Sequence, residues 1–177
     1  MQNTEAEEKR LLFIIRGLVV FFIIALVLSG ITAFPLETEL KIASGILGIS
    51  PGIPIDNYHG LQYWIALVAQ ALTEMNAKYQ FLAYGYDWLA FAHLVIAVAF
   101  IGVYTKPVRN IWIVHFGMIA CIGVIPLAFI CGTIREIPFY WQIIDCSFGV
   151  FGIIPLYFLH THIKKLEKLI GYIPAKY

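Results

Sequence analysis

The chain has 177 residues, 60% of them hydrophobic and only 13% charged, with a formal net charge of +1. A soluble domain is ordinarily about 45–50% apolar and about 25% charged, so this balance points to an integral membrane protein. The near-neutral charge offers no electrostatic footprint for nucleic acid or for an acidic substrate.

Residues 1–10, MQNTEAEEKR, are polar. An apolar run then extends from Leu11 to Phe34, broken only by Arg16 and closed by Pro35. About 20 helical residues cross the hydrocarbon core, whereas a cleaved secretory signal has an apolar region of only about 7–15. The run therefore predicts an uncleaved first span over 11–34. Arg16 lies near its start, where a long cationic side chain can snorkel to the surface.

Residues 35–83 have a different pattern. Leu61, Trp64, Ile65, Val68, Leu72 and Met75 recur at three- and four-residue steps, which is the stripe of an amphipathic helix. SPGIPIDNYHG, residues 50–60, is a loop signal between this segment and an earlier one, Leu36–Ile49. Two short amphipathic helices capping the bundle or lying on the membrane are expected, with a re-entrant hairpin as the alternative.

Three further spans are expected, over 87–105, 110–132 and 140–162, with Pro126 and Pro155 inside the last two. The fold class is thus an all-α polytopic four-helix bundle, read as a single membrane domain. Gly117, Ala120 and Gly123 offer one small-residue face for close helix contact, and Ser147, Gly149 and Gly152 another. The tail HTHIKKLEKLIGYIPAKY is basic, and part of it is expected to lie as a helix on the membrane surface. Lys9, Arg10, Arg16, Lys106, Arg109, Lys164, Lys165, Lys168 and Lys176 fall on one side of this layout, and Lys41, Lys78 and Arg135 on the other. The excess of cations predicts both termini in the cytoplasm of a cell membrane.

The three cysteines, Cys121, Cys131 and Cys146, are odd in number and form no CxxC or zinc pattern. Cys131 and Cys146 could pair by position, but buried small hydrophobes are the preferred reading.

The chemistry concentrates around Thr133–Ser147, TIREIPFYWQIIDCS. An ionisable residue inside a span is expensive and marks a site by default, which singles out Asp145. Counted from the inner helix ends at about 1.5 Å per residue, Asp87 and Asp145 both come out near 25 Å. His93 lies about 9 Å deeper than Asp87 on the same count. Arg135 and Glu136 hang above, and Tyr84, Tyr86, Tyr140, Gln142 and Ser147 could line the rim. The expectation is an outward-facing polar pocket of Asp87, His93, Arg135, Glu136 and Asp145. Such a pocket could hold a cation, relay protons or take an amphipathic headgroup above apolar walls. The structural alternative is that Asp145 pairs with Arg135 or caps its helix, as Asp87 could too.

The histidines raise b-type haem. Depths of about 16 Å for His93, 10 Å for His115 and 3 Å for His160 leave no level pair, and His93 with His115 is the nearest candidate couple. No CxxCH motif, phosphate-binding glycine loop, nucleophile elbow or HExxH is present, so nothing argues for a soluble catalytic domain.

The segments LVLSGITAFPLETEL, YDWLAFAH, PVRNIWIVHFGMIA and REIPFYWQIIDCSFGVFGIIPLY resemble an uncharacterised family of small bacterial four-helix membrane proteins. That resemblance covers most of the chain and implies no activity. Arg16, with Ser29-Gly30 and Phe34 at the end of the first span, also resembles the pattern of DoxX-like membrane proteins over that span alone, which would imply a compact four-helix bundle with redox or quinone association. Vitamin-K-epoxide-reductase-like proteins share a four-span core but need the CxxC that this chain lacks. The residues themselves predict binding of a small amphipathic ligand or of a partner membrane protein. The alternatives are a haem- or quinone-associated redox or proton-relay protein, and a structural subunit or homo-oligomer within the lipid bilayer.

Overall fold

The computed structural model describes residues 2–172, so Lys176 lies outside the described chain. Six helices follow in order: α1 Gln2–Ala33, α2 Leu36–Ile46, α3 Gly60–Lys78, α4 Tyr84–Thr105, α5 Ile111–Ile134 and α6 Phe139–Leu169. Short 3-10 turns at Ile55–Asn57 and Gln80–Ala83 precede α3 and α4. Among the described residues there is no strand. Four helices, α1, α4 (with the 3-10 turn before it), α5 and α6, are long and apolar enough to cross a membrane. The protein is an all-α, multi-pass membrane protein.

Helix lengths exceed the apolar runs at both ends of the chain. α1 already begins within the polar N-terminal residues, and α6 runs through Pro155 and on to Leu169. Hydrogen bonding along a helix does not require apolar side chains, and Lys164 pairs with Glu167 one turn on, 2.7 Å apart, in the polar extension. The expected surface helix of the tail is thus the continuation of the last span. Pro126 and Pro155 each remove one backbone donor without ending their helices.

The described chain divides into two compact units. Ala25–Ile96 forms one, and the residues up to Ile24 together with those from Ala97 form the other. In the first, α2 and α3 form the expected helical pair. Trp64, Ile65, Val68, Leu72 and Met75 of the amphipathic stripe are buried or half-buried, while Leu61 is exposed. Glu37 accepts a hydrogen bond from Asn76 Nδ2 at 3.1 Å and pairs with Lys41 at 2.8 Å, tying α2 to α3. Gln62 Nε2 donates to the Leu47 carbonyl at 2.7 Å, and Tyr58 accepts from the Ser50 amide at 2.9 Å. Gly30 lets the end of α1 approach α4: a Cβ there would stand 2.9 Å from the Ala90 carbonyl oxygen.

The second unit has a tight core of Ile15, Val19, Phe100, Val103, Val114, Leu156, Leu159 and Ile163, all essentially inaccessible. Phe13, Trp112, Phe148 and Phe151 point outward, the disposition expected of lipid-facing residues. α5 and α6 form an antiparallel hairpin packed through glycine. A Cβ on Gly149 would collide with the Cys121 carbonyl and lie 2.6 Å from Val124 Cγ1; one on Gly117 would lie 3.0 Å from Leu156 Cδ1. Ala120 and Gly123 are exposed, so the small residues that matter on α5 are Gly117 and Gly132. All three cysteines are free.

Candidate functional site

The turn between α5 and α6 is built by hydrogen bonds that complete the end of α5. The Ile137 amide donates to the Gly132 carbonyl at 2.9 Å and the Glu136 amide to the Thr133 carbonyl at 3.3 Å. This is a Schellman ending, which needs a left-handed residue just past the helix. Glu136 takes that role at φ 57°. The other two helices that end this way use glycine: Gly48 after α2 at φ 71° and Gly171 after α6 at φ 61°. A side chain in the left-handed region costs about 1–2 kcal/mol, so α5 ends with strain the other two avoid. Strain of this kind often accompanies function, which makes the turn worth attention as a site.

Gln142 locks the same turn from α6. It is buried (4% exposed), donates from Nε2 to the Ile137 carbonyl at 2.8 Å and lies against Gly132, whose absent Cβ leaves the space. Its Oε1 is buried with no hydrogen-bond partner among the described residues.

Beside this turn lies a cavity of about 380 Å³, lined at its polar end by Arg135 and Asp145 and along its walls by Val124, Leu127, Ala128 and Phe148. Asp145 is half-buried and Arg135 exposed. Neither makes an ion pair among the described residues, so the Arg135–Asp145 pairing offered by the sequence does not form. Nor does Asp145 cap α6. The helix starts at Phe139, with Pro138 preceding it, and Asp145 falls well beyond the first turn. A carboxylate and a guanidinium thus share one apolar-walled recess without neutralising each other. Cys131 also lines the recess as a free thiol. Chemically the recess can accept a hydrogen-bond donor or cation at Asp145 and an anion at Arg135.

The remaining residues expected in the pocket belong to the other unit. Asp87 is half-buried in the first turn of α4, where its charge suits the positive end of the helix dipole. His93 is held by a 2.8 Å hydrogen bond between Nδ1 and the Leu89 carbonyl, which fixes that nitrogen as the donor. Arg135, Glu136 and Asp145 come together at the α5–α6 turn, with Glu136 exposed and shaping the backbone rather than lining the recess.

His115 meets a different histidine from the one the depth count favoured. Its ring centroid lies 5.0 Å from that of His160. Depth counting set these two apart because it placed the inner end of α6 near His162, whereas the helix continues to Leu169. The signal that would have paired them is the hairpin register, since both lie about equally far from the α5–α6 turn. Among the described residues no group of three or more His, Cys, Asp or Glu could hold a metal ion. Gln142, expected only at the rim, locks the turn instead, and the walls Val124 and Phe148 carry no signal in the sequence, because apolar residues acquire a site role only once the helix rotation is known.

No family model matches this chain, and no match was found among curated proteins or solved structures.

Proposed function

We propose that this multi-pass membrane protein binds a small amphipathic ligand in the recess at the α5–α6 turn. The observation that carries the reading is the pair Arg135 and Asp145, which line one cavity and leave each other unpaired. The ligand's polar head supplies an anionic or accepting group to Arg135 and a donating group to Asp145. Its apolar body lies along Val124, Leu127, Ala128 and Phe148. The strained Glu136 supports the same reading, because it follows Arg135 directly in the turn that bounds the recess. The cation asymmetry along the chain supports a cytoplasmic position for both termini in a cell membrane, with the recess facing outward.

Mass spectrometry of protein purified in mild detergent tests the proposal. A retained small molecule is expected with wild type and with Asp87→Asn. With folded Arg135→Gln or Asp145→Asn, retention should fall by roughly 10–100-fold, the worth of one charge-assisted hydrogen bond. Unchanged retention in both variants would refute the reading. A Soret band lost with His115→Ala would favour haem instead. Stoichiometric co-purification of a second membrane protein, with no small molecule, would favour a structural subunit.

A further inference from the structure

A second recess lies in the other half of the same unit, along the first span. Lys9, Phe13, Arg16, Gly17 and Val20 of α1 form one wall, and Tyr104, at the last turn of α4, forms the opposite one. The volume is about 520 Å³. These α1 residues lie at three-, four- and seven-residue steps, so they share one helix face. No carboxylate lines the recess, although Glu5, Glu7 and Glu8 are close in sequence.

Arg16 is not simply extended into water. Its guanidinium carbon stands 5.4 Å from the centroid of the Tyr104 ring. That cation–π contact holds the charge at the helix end, beside the recess, with its N–H groups available. Lys9 is two turns away along α1, at about 10 Å by helical rise. Between and beyond the two cations the lining is apolar. A Cβ added to Gly17 would meet nothing within 4 Å, so the recess is open at Gly17.

Two cations set two turns apart along an apolar trough, near the start of a span, match the chemistry of one bilayer component. We infer that this recess is a binding site for an anionic phospholipid. The phosphate is held by Lys9 and Arg16, and an acyl chain lies along Phe13, Gly17 and Val20. Basic recesses between spans capture headgroups because their cations recognise phosphate while the bilayer supplies the tail. A free phosphate would leave the apolar trough unused.

Native mass spectrometry of the full-length protein, with phosphatidylglycerol, phosphatidylcholine or inorganic phosphate added in detergent, tests this. Wild type should retain phosphatidylglycerol over phosphatidylcholine by about 10-fold or more, and inorganic phosphate not at all. Arg16→Gln and Lys9→Gln should each lower that preference several-fold. Gly17→Leu is the decisive variant. It fills the open space, keeps both cations and improves helix propensity, so the fold should persist. Loss of the preference in folded Gly17→Leu is expected. A preference that survives it would mean only diffuse attraction of lipid to surface charge, and would overturn the site. Equal retention of inorganic phosphate, or of the two lipids by wild type, would overturn it as well.

Discussion

Gly149 rests directly on the backbone carbonyl of Cys121, so α5 and α6 meet with no side chain between them. In a membrane, where lipid is as apolar as any side chain, such close backbone approach is a main source of helix association. Gly149→Ala should therefore push the pair apart and cost about 1–3 kcal/mol, as overpacking does elsewhere. Gly123→Ala, on the same hairpin but in open space, should be neutral or slightly stabilising. Unfolding of both variants in detergent, followed by circular dichroism, checks the contrast. Equal effects would show that the two helices are not held by this contact.

Glu136 offers a prediction of opposite sign. Replacing it with glycine should relieve the left-handed strain and raise stability by about 1 kcal/mol. If the strain serves the recess, the same Glu136→Gly change should weaken ligand retention even though the side chain is not in the lining. A thermal-shift measurement paired with mass spectrometry of the bound molecule separates the two effects. A destabilised variant would contradict the assignment of the turn.

Asn110 closes the connection between α4 and α5. Its Nδ2 donates to the Gly102 carbonyl at 2.8 Å and the Lys106 carbonyl at 3.0 Å, adding to the backbone amide bonds that those carbonyls accept from Lys106 and Asn110. Asn110→Ala should cost about 1–2 kcal/mol, two modest hydrogen bonds partly replaced by water. Asn110→Asp should not restore the stability, because a carboxylate repels the same carbonyls. Denaturation midpoints of the two variants test this.

A pH dependence is expected at the α2–α3 pair. The Lys41 ammonium, first by hydrogen bond and also by charge, together with the Asn76 amide, holds the Glu37 carboxyl below its ordinary range. A carboxyl whose folded value is lowered contributes stability at neutral pH that is lost as pH falls below the ordinary Glu value of about 4.3 and through the folded one. The Glu37 side chain keeps 39% of its surface open to solvent, so the effect should be small and weakened by salt. Hydrogen exchange of the α3 amides around Asn76, corrected for intrinsic rates, should show loss of protection in that acid window. Glu37→Gln should abolish the pH dependence. Protection that falls equally in Glu37→Gln would locate the acid response in another group.

Much of the architecture is legible in the sequence because hydrophobic periodicity is a one-dimensional signal. The four spans, the amphipathic stripe from Trp64 to Met75 and the loop before it all follow from local pattern. What cannot be read locally is rotation and register. Gly117, Ala120 and Gly123 look like one packing face, yet only Gly117 is used, because the partner helix sets which side is inside. His160 meets His115 through the register of the α5–α6 hairpin, which apolarity alone could not show. At the site, Asp145 and Arg135 stand out as charges near a span. That they line one recess without pairing depends on the geometry of the α5–α6 turn.

That short turn also bears on the order of assembly. Its few residues bring together helices whose contacts are close in sequence, so little loop entropy is lost in pairing them. The α5–α6 hairpin is then the natural first tertiary structure to form, with the recess built into it from the start. Cysteine pairs placed across Gly117 and Leu156, in an otherwise cysteine-free chain, should become crosslinkable early when the denatured protein is refolded into detergent. Crosslinking that appears only with the last-formed contacts would argue for later assembly.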